Sequence, residues 1–509
     1  MTTPAYTPEQ QRSGQRLMIL EGLFSRAMES VTTGIILTGF ALALGASDAE
    51  IGLIAAIPFL AHLVHLPGVV LLARTRDRRA VAVTAAVAAR ATLLLIALIP
   101  FAMGGLELRP LHALIPLLVV YSVFANVGGA AWQVWVRDLV PREELGRYFG
   151  RRMAVLATVG VVVTLAAGQF VSWWRRAFPE RELEAFGILF LVGGLAGFVS
   201  AAIVRRAPVA LATPTQVHIR SMLRRPISDT NYRRVVIFLA SWGFAANFSL
   251  PFIAVVLLGP LGYSVGTVVA FSAFSTAVNV LSLKVWAPVT DRFGNKPVLA
   301  MGASVFVLAI ATWAFTPKET GWLVLASATT TYGLLGLGAG AIDLASNGLI
   351  LKLAPDEDAP AYLATASVAR SVAAGVAPLL AGAAATLLAG RAFVVRFAWV
   401  DPAGERGITA LQFVHYDFLF LTSIALGLYA VHRLLGFEEH GEASPGVVVR
   451  SLRHDVGQFG GLAGLRGFAH LASYIVEGAY GLQRTMDPRR VRDAFDLDDD
   501  EHGPRRPPP

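Results

Sequence analysis

The chain contains no cysteine, so it forms no disulfide and offers no thiolate to a metal. Charge is sparse as well. Asp, Glu, Lys and Arg make up 15% of the residues against 55% hydrophobic ones, and mean hydropathy is +0.58. Soluble domains carry about a quarter charged residues, so this balance excludes that class. No phosphate-cradling glycine loop, nucleophile triad or paired acid and base occurs in a fitting context, which argues against an ATPase or any other enzyme. His62 and His65 lie one turn apart, but zinc needs a third convergent ligand and none is visible. Neither a metal nor another cofactor is expected. A net charge of +8 and a pI near 9.9 require no nucleic acid, because arginines facing anionic lipid account for them.

What the chain does have is long apolar runs. A membrane-crossing helix needs ~20 predominantly apolar residues, and twelve such runs can be read. In the first half they fall near 19–45, 50–72, 80–103, 111–136, 153–174 and 184–204; in the second, near 234–258, 264–288, 298–316, 321–350, 363–389 and 414–435. The expected fold is all-α and polytopic, with twelve transmembrane helices. Loops after even-numbered spans are basic: Arg74, Arg76, Arg78 and Arg79 follow the second, and Arg137, Arg142, Arg147, Arg151 and Arg152 the fourth. Lys and Arg favour the cytoplasmic side, so both termini are expected there, with the protein integral to the cytoplasmic (inner) membrane. Glu21, Arg26 and Glu29 interrupt the first run, which therefore does not read as a cleavable signal peptide.

A domain plan follows. Residues 1–16 form a polar N-terminal tail, 17–206 a six-helix half, 207–233 a basic linker with Pro208, Pro214 and Pro226, and 234–437 a second six-helix half. Residues 438–509 read as a cytoplasmic tail. Its glycine-rich stretch around 447–482 suits the membrane interface better than a thirteenth span. The acidic run Asp496–Glu501 and the terminal prolines read as disordered.

The halves repeat each other. At a constant offset of 214 residues, Asp77-Arg78 recurs as Asp291-Arg292, Leu139-Val140-Pro141 as Leu353-Ala354-Pro355, Glu143 as Glu357, Tyr148 as Tyr362 and Gly168 as Gly382. Two parallel copies of one apolar unit are how many secondary transporters build a site at a shared interface.

Residues 287–299, APVTDRFGNKPVL, resemble the signature of the major facilitator superfamily: a small residue, three positions, then Asp-Arg-x-Gly-x-Lys. The first-half counterpart, GVVLLARTRDRR ending at Arg79, keeps Asp77 among basic neighbours. WVRDLVPREELGRYFGRR, over 135–152, is a second family-like stretch. The resemblance covers about residues 17–437. It implies two pseudo-symmetric six-helix bundles that rock about a central site, and a cytoplasmic latch between them when the inner side is closed. Candidates for that latch are Asp77, Arg78, Asp138, Arg147, Arg151 and Arg152 in the first half, and Asp291, Arg292 and Lys296 in the second. An aspartate there can accept from a helix N-terminus or bind a neighbouring arginine bidentately. The same charges could instead anchor helix ends at the headgroups.

Charges inside the spans point to a site, since each costs ~2.5 kcal/mol or more at the bilayer centre unless paired or wet. Arg26, Glu29 and Thr33 share a face of the first span, and about 1.5 Å per residue puts Glu29 ~18 Å in from Leu17. Ser122, Asn126, Gln133 and Arg137 form a stripe on the fourth span; Tyr332, Gly336, Asp343 and Asn347 form one on the tenth. The seventh carries Trp242, Asn247 and Ser249. The resemblance implies that spans one, four, seven and ten line the cavity. Glu29 and Asp343 are the candidate proton-coupling carboxylates, with Arg26 as modulating partner and no local cation beside Asp343. Asn126, Trp132, Gln133, Trp242, Asn247, Tyr332 and Asn347 are the candidates for substrate contact. Each has a plainer reading: Arg26–Glu29 as a self-neutralising structural pair, the asparagines as interhelical glue, and Arg90, Lys284 and Arg370 as snorkelling or packing residues.

The expected function is secondary active transport of a small organic solute by alternating access, coupled to protons, in a monomer surrounded by lipid. An uncoupled facilitator or exporter, or a transporter-fold assembly or scaffold protein, is the alternative. Direction of transport and substrate identity stay open.

Overall fold

The computed structural model describes residues 6–437 and 439, apart from 76, 103–108, 142–143, 210–218, 318–320, 356–358, 402–403, 435 and 438. The expected tail beyond Glu439, with its interfacial and acidic stretches, lies outside the described residues.

Local chemistry sets where the helices begin and break. α1 (Pro8–Thr32) starts on a capping box, in which the Thr7 hydroxyl accepts from the Gln10 amide and the Gln10 side chain accepts from the Thr7 amide. α2 (Gly34–Ala43) follows a break at Thr33. α3 (Asp48–Ala61) opens on a second capping box, Ser47 with Glu50, and contains Pro58, which removes an amide donor from the helix ladder. A 3-10 turn at His62–Val64 leads into α4 (His65–Arg74). α5 (Arg78–Ala102), α6 (Pro110–Leu139), α7 (Leu145–Ala177) and α8 (Glu182–Arg206) complete the first half. α9 (Ile219–Ser228) lies in the linker. The second half holds α10 (Thr230–Leu258), α11 (Val265–Phe293), α12 (Asn295–Ala314), α13 (Trp322–Leu353), α14 (Ala359–Leu388) and α15 (Asp417–Leu434). Between α11 and α12, Gly294 takes φ +92, which only glycine holds at little cost, so the Asp-Arg-x-Gly loop turns there.

Among the described residues ten helices, α5–α8 and α10–α15, are long and apolar enough to cross a membrane. The first two expected spans are the broken pairs α1–α2 and α3–α4, which brings the bundle to twelve. Within the first half α5 packs on α6 and α8, and α1 on α7 and α8; within the second, α12 packs on α13 and α15, and α10 on α14 and α15. The halves meet along two seams, α3 against α14 and α7 against α11. The repeated glycines sit on these seams. A Cβ on Gly168 would stand 2.8 Å from the Val269 side chain, and one on Gly382 would stand 2.5 Å from the Asp48 carbonyl oxygen. Small residues let helix backbones approach where lipid supplies no hydrophobic drive.

One end of the bundle carries the basic loops. From the other projects a β-hairpin over the stretch that reads as a long loop near 390–413. β1 (Ala392–Asp401) pairs antiparallel with β2 (Gly404–Val414), Ala392 opposite Val414 and Asp401 opposite Gly404, with an irregularity at Val395–Arg396. A hydropathy scan for spans misses it, because strands alternate with period two.

The second half extends past its expected end at Phe437. The Glu439 carboxylate, its side chain fully buried, accepts from the backbone amides of Asn295 and Lys296 (both 2.8 Å), from Asn295 Nδ2 (2.8 Å) and from Lys352 Nζ (2.9 Å). It caps the N-terminus of α12, where the helix dipole favours an anion, and ties α13 to it. Lys296 Nζ donates to the Phe437 carbonyl at 2.7 Å. Burial pushes the Glu439 carboxyl up, but the Lys352 ammonium, the Lys296 amide and Asn295 together outweigh it and hold the group below the usual 4.5. A depressed carboxyl stabilises the fold fully above that value, and the contribution fades as pH falls below 4.5. Glu439→Gln and truncation after residue 437 are each expected to cost on the order of 2 kcal/mol. Thermal unfolding in detergent should show this as a lowered midpoint, with wild type converging on the variant in acid. Truncation after residue 441 should leave the midpoint in place; equal midpoints for all three chains would show that the clasp does not hold the half together.

Candidate functional site

A cavity of about 740 Å³ lies between the halves. Polar groups from five helices line it: His62 and His65 around the break between α3 and α4, Gln133 of α6, Asn247 of α10, Ser346 and Asn347 of α13, and Ser367, Arg370 and Ser371 of α14. Pro58, Phe59, Leu239, Ile350 and Leu363 supply apolar wall. Arg370 pairs with Asp343 at 3.5 Å, both side chains about half exposed. The sequence shows no cation near Asp343 because its partner comes from the next helix.

The asparagines share one geometry. Asn126, Asn247 and Asn347 each donate Nδ2 to the carbonyl four residues earlier, at 2.8, 2.8 and 2.9 Å respectively. Each amide oxygen is thereby turned away from its own helix. Asn126 Oδ1 faces His62 Nδ1 at 3.1 Å, and His62 Nε2 lies 3.1 Å from Ser367 Oγ on the other half. Ser346 Oγ is buried with no partner among the described residues, and an unmet buried hydroxyl is costly unless something completes it.

The first-span pair lies apart from this chamber. Arg26 and Glu29 are 3.4 Å apart and border a smaller cavity of about 170 Å³ with Thr33, Gly160, Thr164, Ser272 and Thr276, between α1, α7 and α11. Gly160 makes room for the arginine, since a Cβ there would stand 2.5 Å from Arg26 Nε. Three residues expected at the site are packed elsewhere. Trp242 is buried edge-on against Phe306, and Tyr332 is buried and stacked on Phe271. Trp132 lies under the Arg152 guanidinium at 4.4 Å. Aromatic bulk fills helix contacts, so a position on a cavity-lining span does not by itself turn a ring inward. Conversely, His65, Ser346, Ser367 and Arg370 line the chamber without having stood out as site residues.

Among the expected latch residues, Asp77, Arg152 and Arg292 make contacts within their own half. Asp77 accepts from the Ala80 amide at 3.1 Å, at the start of α5. Arg152 pairs with buried Glu21 of α1 at 3.5 Å, and Glu21 also accepts from Ser200 Oγ at 3.1 Å. Arg147 and Arg151 are exposed, as is Asp291, and the Arg292 guanidinium lies over the Phe293 ring at 5.0 Å. Arg78 opens α5, and the Asp138 side chain lies outside the described residues. A buried carboxylate such as Glu21 needs a cation more than an exposed aspartate does, which is why it holds Arg152.

Contacts between the halves concentrate at the hairpin end. Ser172 Oγ accepts from the Gly266 amide at 2.8 Å. Asp48 accepts from Tyr416 OH at 2.6 Å and lies 3.0 Å from His415 Nε2. His415 holds φ +42, a left-handed conformation unusual for a residue with a side chain, and its amide donates to the Arg391 carbonyl across the hairpin base at 3.3 Å. Toward the basic end, by contrast, the chamber's Arg370 and Asp343 side chains are 45% and 58% exposed. The bundle is closed at the hairpin end and splayed at the basic end.

Two six-helix halves around a polar cavity sealed at one end define a membrane transporter. The sequence profile of the Major Facilitator Superfamily matches residues 19–378, and the chain belongs to that family. No curated protein sequence matches the chain. Among solved structures it is similar in fold to the nucleoside transporter NupG, with TM-score 0.60 and 10% identity over 83% of this chain and 98% of that one. A D-xylose-proton symporter gives TM-score 0.60 and 13% identity over 84% and 98%. A bacterial homologue of the iron transporter ferroportin, in an inward-facing state, gives 0.56 and 15% over 85% and 99%.

The closed end makes a direct prediction. In this chain without cysteine, Val269→Cys places a thiol on the α7–α11 seam, where Val269 is fully buried. Adding Asp48→Asn should raise its rate of maleimide labelling from the hairpin side several-fold. An unchanged rate would mean that Asp48 does not hold that end shut.

Proposed function

We propose that the chain is a secondary active transporter that carries a small polar organic solute across the cytoplasmic membrane by alternating access, coupled to protons. The observation that carries this reading is the chamber itself: amide and hydroxyl groups from both halves converge on a space within the usual range for small-molecule sites, roughly 300–1,000 Å³. The bias of Lys and Arg in the loops supports a cytoplasmic basic end, which makes the splayed state inward-open. Asp343 and Arg370 balance each other, and the turned amide oxygens of Asn247 and Asn347 offer acceptors. That chemistry suits a solute with no net charge, rich in hydroxyl or amine donors. An assembly or scaffold role would be favoured by an apolar, filled interior, and the wet polar chamber speaks against it.

Glu29 and Asp343 are the carboxylates proposed for coupling. Each is paired with an arginine of its own half, so a proton taken up there competes with Arg26 or Arg370 for the carboxylate. Asp291 and Asp77 are proposed to form their latch in the opposite, inward-closed state. The test starts with a thermal-shift screen of uncharged and zwitterionic solutes, followed by uptake of any hit into liposomes. Asn247→Ala and Asn347→Ala should each raise KM about tenfold, the loss of one to two hydrogen bonds, without lowering the unfolding midpoint. Glu29→Gln and Asp343→Asn should abolish accumulation driven by a pH gradient yet spare exchange. Wild-type uptake indifferent to the gradient would make the protein an uncoupled facilitator, and full accumulation in both variants would move coupling away from these carboxylates.

A further inference from the structure

We infer that His62 is the residue through which a proton, bound in the chamber, is felt by both halves. This rests on the proton-coupled reading above and adds to it the seat of the proton that links the halves.

Hydrogen bonds that join the halves include those of Ser172 and Asp48 at the closed end and that of His62 with Ser367. His62 alone of these faces the chamber. Its ring is oriented from one side. Asn126 commits its amide nitrogen to the Ser122 carbonyl, so Oδ1 is what meets His62 Nδ1, and that nitrogen carries hydrogen. Nε2 is left with a lone pair 3.1 Å from the Ser367 hydroxyl. A hydroxyl both donates and accepts. A proton added to Nε2 therefore turns the Ser367 bond around without breaking it, and both ring states fit one geometry. Neither carboxylate has this property, because each must part from its arginine first.

The groups facing the ring are few. His65 stacks on it at 4.0 Å from its own strand of chain. Asn126 of α6 and Ser367 of α14 bond to it, and Gln133 of α6, Asn247 of α10 and Arg370 of α14, the last paired with Asp343 of α13, share the cavity with it. No carboxylate touches the ring among the described residues, so Ser367 is the partner that reads its charge.

The backbone is built to move at the same point. Pro58 interrupts the ladder of α3, and the chain passes through a 3-10 turn at His62–Val64 before α4; short 3-10 stretches inside helices often mark hinges. In the splayed state Nε2 reaches water through the basic end. When the seams exchange their open and closed ends, α14 shifts along α3, Ser367 parts from the ring, and the lone pair faces the other side. The proton that Nε2 takes from water on one side is returned to water on the other.

The test needs no identified solute. With no native cysteine, Met153→Cys/Leu281→Cys carries one spin label on α7 of the first half and one on α11 of the second, and protons are the only probe. Double electron–electron resonance in proteoliposomes should show the ratio of short to long distances changing about tenfold between pH 8 and 5, the size of a typical coupling between two sites. Histidine-to-glutamine replacement at the site, His62→Gln, keeps a hydrogen-bonding side chain and should flatten this response. Ser367→Ala leaves the ring but cuts the link and should flatten it too. His432→Gln, on the exposed face of α15, should respond as the parent does. A response preserved in His62→Gln or in Ser367→Ala overturns the inference alone. A parent that is flat across the range overturns the inference and counts against proton coupling itself.

Discussion

Charge inside a bilayer must be paired where it stands, and this constraint divides the molecule. Arg26 with Glu29, Arg152 with Glu21, Arg370 with Asp343 and Lys352 with Glu439 are all pairs within one half. Each half thereby satisfies its own costly groups and holds together as a body. Between the halves stand close-packed glycine seams and a few hydrogen bonds, most of them at one end. Contacts of that kind can be exchanged for similar ones at the other end at little net cost. A buried ion pair broken at every turnover could not.

Glu439 shows how far this self-sufficiency goes. The loop between α11 and α12 carries the family signature, yet its lysine is turned to the Phe437 carbonyl and the helix it opens is capped by a carboxylate from beyond the last span. The second half is therefore locked at the basic end by its own C-terminal segment. At the opposite end, Asp48 meets His415 and Tyr416 at the base of the hairpin, so the β-hairpin and the closure of the cavity are mechanically joined. The chamber lies between a braced basic end and a latched hairpin end.

Much of the architecture was legible in the sequence because it rests on composition and periodicity. Apolar runs of spanning length gave the helices, and the offset between Gly168 and Gly382 announced a repeat whose glycines do occupy the two matching seams. Polar stripes on the fourth and tenth spans led to Gln133 and Asn347, and a separate asparagine on the seventh to Asn247; all three border the chamber. The first two spans read as continuous runs but are broken at Thr33 and at His62, where a glycine and a proline interrupt helices too apolar for hydropathy to register the change.

What the sequence determined by itself was thus membrane residence, the twofold plan and which faces are polar, since local side-chain chemistry and its spacing fix these. Tertiary structure alone decided which polar groups meet. Arg370 finds Asp343 from a neighbouring helix, His62 finds Ser367 at 305 residues' separation, and Glu439 finds the start of α12 at 144. Trp242 and Tyr332, on the right spans, turn into packing instead. Rotation of a helix about its axis and the approach of segments distant in sequence depend on the summed packing of the whole bundle, and no local pattern encodes that sum.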